Sequence, residues 1–159
     1  MSLFQIYDDL AKACQKRFKV TEKLTLADMV KLITPPFLSG TEILGRTKII
    51  IRDEYPEDIP LTLEAVPPAM SKPIKLSITL SNDDFLYVPS AKLIFNKSDG
   101  THLALDLPTI DTDFEDGEHW VETVSVTIPA NTSIVNNKAI LRIDADSQIE
   151  RIEKIIATY

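Results

Sequence analysis

The hydrophobic period of the chain changes once, at Pro35-Pro36, and this change limits the possible folds more than any single motif does. Before it, apolar residues recur at helical spacing; after it, they alternate with polar ones over short runs, as strands with one buried face require. In Ile74-Lys75-Leu76-Ser77-Ile78-Thr79-Leu80 every second residue is apolar. Val124, Val126 and Ile128 alternate in the same way with Thr123, Ser125 and Thr127. Pro56, Pro60, Pro67, Pro68, Pro73, Pro89, Pro108 and Pro129 fall at the edges of such runs, where a missing N–H does least harm to a ladder.

Extended segments are expected at 46–52, 59–65, 73–80, 91–97, 101–107, 120–128 and 138–144. Between the runs at 91–97 and 101–107, Asn96-Lys97-Ser98-Asp99-Gly100 predicts a hairpin, because Asp-Gly tolerates the positive φ of a tight turn. At 149–159 the spacing of Ile149, Ile152, Ile155 and Ile156 fits a helix as well as a strand, and the closing Ile-Ala-Thr-Tyr favours a strand. Short strands without intervening helices predict a mainly β fold, an antiparallel two-sheet β-sandwich over residues 40–159.

Residues 1–39 read as a short N-terminal helical hairpin. Ser2 with Gln5, and Thr25 with Asp28, have the spacing of N-terminal capping pairs, and Leu24 with Met29 that of a hydrophobic staple. Leu3, Tyr7, Leu10, Cys14 and Phe18 form one expected apolar stripe, and Met29, Val30, Leu32 and Ile33 another. So short a segment buries little surface alone, so the hairpin either packs on the downstream domain or serves docking and homo-oligomer formation. Both readings stay open at this point.

Composition excludes several classes. Lys and Arg number 17 against 24 Asp and Glu, and the net charge of −7 disfavours a nucleic-acid partner. No run approaches the roughly 20 apolar residues of a membrane span, and the first residues lack the continuous apolar run of a signal peptide. The single Cys14 cannot close an internal bridge, and a chain of 159 residues buries enough core to need none.

Reactive chemistry has few carriers. Only His102 and His119 offer an imidazole, the four glycines are scattered, and no zinc spacing occurs, so no catalytic residue is assigned and a non-enzymatic role is expected. Asp111, Asp113, Glu115, Asp116 and Glu118 crowd around Gly117; alternating oxygen ligands followed by Gly is how a loop wraps calcium, although here the Gly stands seventh and not sixth. A solvated acidic loop and a calcium site both fit, and no other cofactor is implied. Aromatic side chains supply broad, rigid contact surface, which makes Trp120, Tyr87, Phe85 and Tyr55 the candidate ligand-binding residues. Trp120 shares its phase with Val124, Val126 and Ile128, so it is either a core residue or a ligand platform.

The stretch Leu10-Ala11-Lys12-Ala13, followed by Thr21-Glu22-Lys23-Leu24-Thr25-Leu26-Ala27-Asp28-Met29-Val30-Lys31-Leu32-Ile33, resembles a helical segment of tail and baseplate-associated proteins from phages and prophages of Gram-positive bacteria. Its usual turn glycine is replaced here by Phe18-Lys19-Val20. Beyond residue 40, the order of strands is similar to that of jelly-roll carbohydrate-binding modules, with His119-Trp120-Val121 leading into Val124-Ser125-Val126-Thr127-Ile128-Pro129 and a closing Ile152 to Tyr159. Together these resemblances imply a virion component made in the bacterial cytoplasm. Its hairpin would attach to other phage tail or baseplate proteins, and its jelly-roll-like sandwich would contact host cell-wall glycan. A purely structural tail or baseplate protein is the alternative.

Overall fold

The computed structural model describes residues 2–33, 37–112 and 120–159, with the backbone alone for 30–33. It comprises two compact units, Met1–Phe37 and Leu38–Tyr159.

The first unit holds α1 (Leu3–Phe18) and α2 (Leu26–Ile33). Ser2 Oγ accepts the Gln5 N–H at 3.2 Å, but the Gln5 side chain donates to Asp9 and not back to Ser2, so half of the expected box forms. At α2 the exchange is reciprocal: Asp28 Oδ2 accepts the Thr25 N–H at 3.0 Å, and Thr25 Oγ1 accepts the Asp28 N–H at 3.2 Å. Cys14, Leu24 and Met29 are buried together, with Tyr7, Ala11, Phe18 and Val20 packed around them. The Tyr7 hydroxyl donates to the Leu24 carbonyl at 2.8 Å and ties helix to turn. Leu3 and Leu10, expected on the same stripe, stay largely outside this small core. At 3.6 residues per turn, positions 7, 11, 14 and 18 share a narrower line, and that line alone meets Leu24 and Met29.

The second unit contains β1 (Thr41–Leu44), β2 (Thr47–Lys48), β3 (Glu57–Thr62), β4 (Ile74–Asn82), β5 (Tyr87–Val88), β6 (Ala91–Lys97), β7 (His102–Asp106), β8 (Ile110–Asp111), β9 (Trp120–Ile128), β10 (Ile134–Ile143) and β11 (Arg151–Thr158). One sheet runs β1-β11-β4-β9, with β2 continuing the β1 edge along β11; the other runs β3-β10-β6-β7; and β5 pairs with β8. All these pairings are antiparallel. Consecutive long strands cross between the two sheets, except β6 and β7, which pair as neighbours in one of them; this is the winding of a jelly roll. The expected β-sandwich is therefore the observed fold, and residues 151–158 close it as a strand.

Alternation explains the interior. Ile74, Leu76, Ile78 and Leu80 of β4 and Leu93 and Phe95 of β6 are almost wholly buried, as are Leu141 and Ile143 of β10. On the outer face of β4, Ser81 and Thr79 are covered as well: the Ser81 hydroxyl donates to Glu153 Oε1 at 2.7 Å, and the Thr79 and Thr123 hydroxyls pair at 2.9 Å. The β6–β7 hairpin turns where the Asp-Gly pair predicts, with Gly100 at φ +83° and Asp99 Oδ1 accepting from the Thr101 N–H and hydroxyl. The expected strand at 46–52 is mostly irregular, and the shorter β1 and β2 take its place. Sheet edges are guarded by charge and proline. Pro60 lies in edge strand β3, and Glu122 sits exposed in the inward phase of edge strand β9, opposite Leu80.

Candidate functional site

Antiparallel pairing fixes which connections meet. β1 and β4 end where β9 and β11 begin, and β10 ends there beside the starts of β3 and β6. The connections at 49–56, 83–90 and 144–150, and the described residues 107–112, therefore gather at one end of the sandwich. The chain joins the sandwich at the other end, where the Gly40 N–H donates to the Ala157 carbonyl at 2.8 Å.

All four aromatic candidates belong to the first end, three of them on two connections and the fourth at the start of a strand. Tyr55 lies between β2 and β3, Phe85 and Tyr87 between β4 and β6, and Trp120 begins β9. Tyr87 is opposite Asp111 in the β5–β8 pair and exchanges backbone hydrogen bonds with Gln148 on the connection from β10 to β11. Tyr55 reaches the same connection from another side, its hydroxyl 3.1 Å from Asp53 Oδ1 and 3.5 Å from Asp146 Oδ1. Burial, and the hydrogen bond to Asp53, push the Tyr55 phenol above its ordinary range. Phe85, Tyr87 and Tyr55 are half-buried, so each ring is seated yet keeps an open surface.

Trp120 is also half-buried, in register with Asn82, whose Oδ1 accepts the Asp84 N–H at 2.8 Å and shapes the turn before Phe85. Its indole N–H is buried with no hydrogen-bond partner among the described residues. The residue thus stands between the two roles expected of it, packed through part of its ring and seated at the rim of the loop end.

A groove of about 570 Å³ follows the β2–β3 connection, lined in part by Lys48, Ile50, Arg52, Glu54 and Glu57. The Arg52 N–H donates to Glu57 Oε2 at 2.8 Å and holds its wall. On the neighbouring face Arg151 pairs with Asp83, and with Glu150 at 3.3 Å and Glu153 at 3.4 Å, so the β4–β6 connection is anchored to the start of β11. The loop end therefore combines tyrosine rings, carboxylates and an amide on an ordered frame, a set suited to a neutral ligand rich in hydroxyl groups.

Of the acidic candidates, Asp111 is exposed on β8, while Asp113, Glu115 and Asp116 lie outside the described residues. Among the described residues no group of three or more His, Cys, Asp or Glu side chains is placed to hold a metal ion. His102 is exposed on β7, and His119 lies outside the described residues. Sequence reasoning passed over Asp53, Asp146 and Gln148. Asp144-Ala145-Asp146-Ser147 between two apolar strands marks a surface turn, but its meeting with Tyr55 and Tyr87 depends on strand order that no local pattern carries.

No family model, curated protein or solved structure matches the chain.

Proposed function

We propose that the loop end of the sandwich binds host cell-wall carbohydrate without chemically altering it, as the recognition part of a phage or prophage tail protein. The observation that carries this reading is the gathering of Tyr55, Phe85, Tyr87 and Trp120 from two connections and the start of β9 at one end of the jelly roll. A sugar ring presents an apolar face that stacks on an aromatic side chain, and its hydroxyls bond to carboxylates and amides such as those of Asp146 and Gln148. The opposite end, where the preceding chain joins, leaves these loops free of the covalent attachment. A net charge of −7 selects against polyanionic polymers and favours uncharged glycans.

Purified Gram-positive cell walls and a glycan panel test the reading. Retention of the full chain is expected, weakened at least tenfold by Tyr55→Ala with Tyr87→Ala and little changed by salt. Absence of retention on every wall and glycan overturns it. The exposed apolar side chains of α1 favour a second reading, in which the protein serves only in tail or baseplate assembly; it predicts association without glycan retention.

A further inference from the structure

β7 is an edge strand without the guards of the other edges. β3, at the far edge of the same sheet, carries Pro60, and β9 carries Glu122 in its inward phase. In β7, His102-Leu103-Ala104-Leu105-Asp106, there is no proline, the inward phase is Leu103 and Leu105, and the register with β6 runs without a break. A regular, unguarded edge is a template for a further strand. The hydrogen bonds at the two ends of β7 fix which groups stay open. The Lys97 N–H donates to the Thr101 carbonyl at 2.9 Å, and the Leu107 N–H to the Ala91 carbonyl at 2.9 Å. Alternation between these ends turns the backbone of Leu103 and Leu105 toward β6, and that of His102, Ala104 and Asp106 toward the open edge. Among the described residues no strand is hydrogen-bonded against that side.

The edge is complementary to itself. Antiparallel pairing about a two-fold axis at Ala104 sets Ala104 opposite Ala104, His102 opposite Asp106 and Leu103 opposite Leu105 of a second copy. Each residue whose backbone faces outward then meets another of the same kind, so both bonds of every such pair form. His102 and Asp106 are exposed on the outer face of the sheet, so an imidazole N–H of each copy meets a carboxylate of the other, and no like charges oppose. The Asp106 carboxylate is 84% exposed and only 4.0 Å from Lys92, which leaves it room for a second partner. Leu103 and Leu105, half-buried within one sandwich, continue the inner apolar layer across the joint. A register shifted by two residues loses both charge pairs. The ladder also ends itself: Pro108, which would face Gly100 of the other copy, has no N–H, and Pro60 on β3 blocks addition at the far edge, so the assembly closes at two copies.

We propose that two copies of the chain pair edge to edge through antiparallel β7 strands centred on Ala104, joining their four-stranded sheets into one. This pairing stands apart from the glycan reading and uses none of its residues. Sedimentation of the full chain over a range of concentrations is expected to show a reversible dimer. Ala104→Pro removes an N–H that faces the open edge and not β6, and is expected to raise the dimer dissociation constant at least tenfold. Ala104→Lys, at an exposed position that leaves the fold intact, sets like charges opposite each other at the axis and is expected to do the same, so the test does not depend on the proline variant folding. For register, the full chain carrying Ala104→Cys with Cys14→Ala is oxidised at a concentration where the dimer forms, and is expected to crosslink to itself; His102→Cys with Cys14→Ala, four residues from its own copy along the paired strands, is expected to crosslink far less. A monomer at every concentration overturns the proposal, as does a dimer indifferent to Ala104→Lys. A His102→Cys self-crosslink that equals or exceeds that of Ala104→Cys overturns it as well.

Discussion

Tyr87 and Gln148 exchange both of their backbone hydrogen bonds, at 3.0 and 2.8 Å, and so clamp the β4–β6 connection to the connection from β10 to β11. The clamp is an isolated bridge outside the main sheets, and it holds one tyrosine ring of the proposed site beside the loop that carries Asp146. Hydrogen exchange is expected to show both amides protected, unlike the exposed loop amides around them. Gln148→Pro removes one of the two bonds at a cost of about 1 kcal/mol, and should release protection at Tyr87 while leaving protection within β4 and β6 unchanged.

Tyr55 provides a pH test. Burial, followed by its hydrogen bond to Asp53, raises its pKa, so the folded state favours the neutral phenol. A raised folded pKa contributes stability below the unfolded tyrosine value of about 10, and that contribution is lost as pH rises through the folded value. Ionisation would also place a new negative charge beside Asp53 and Asp146. The phenolate absorbance of the native protein minus that of Tyr55→Phe should titrate above the ordinary tyrosine range, and the stability advantage of the native chain should disappear there.

Gly100 isolates a backbone term. Its φ is +83°, and a Cβ built on it meets nothing within 4 Å, so Gly100→Ala is opposed by conformation alone. A loss of about 1–2 kcal/mol is expected in urea unfolding, with Gly100→Asn costing less because Asn tolerates the left-handed region better.

Trp120 is the one tryptophan of the chain, and its buried N–H lacks a partner among the described residues. An unsatisfied buried donor costs about 1–3 kcal/mol, so Trp120→Phe, which removes the donor and keeps an aromatic ring, should change stability by less than about 1 kcal/mol. Trp120→Ala loses the ring packing and should cost more, about 2 kcal/mol or above. Circular dichroism in urea reads both variants without depending on indole fluorescence.

Much of the architecture was legible because strand periodicity and turn chemistry are local. The alternation of Ile74 to Leu80 predicts one inward face, and Asp99-Gly100 predicts the bend between β6 and β7. The split of the α1 stripe was not legible. Whether Leu3 or Ala11 faces inward depends on where Leu24 and Met29 arrive, which is set by the turn after Lys19 and not by α1 itself. The short strands β5 and β8 escaped for a similar reason. Tyr87-Val88 and Ile110-Asp111 have no periodic run of their own and gain their form by pairing with each other. At the candidate site the rings stood out as residue types, while their polar neighbours Asp53, Asp146 and Gln148 emerged only once the jelly-roll winding brought four distant connections to one end.

The most direct measurement is an amide spectrum of the full isotope-labelled chain, recorded while soluble cell-wall glycan fragments are added. Saturable shifts confined to residues 49–56, 83–90, 107–112 and 144–150, and to the start of β9, are the expected result. Shifts elsewhere on the sandwich, or none with any fragment, would contradict glycan recognition at the loop end.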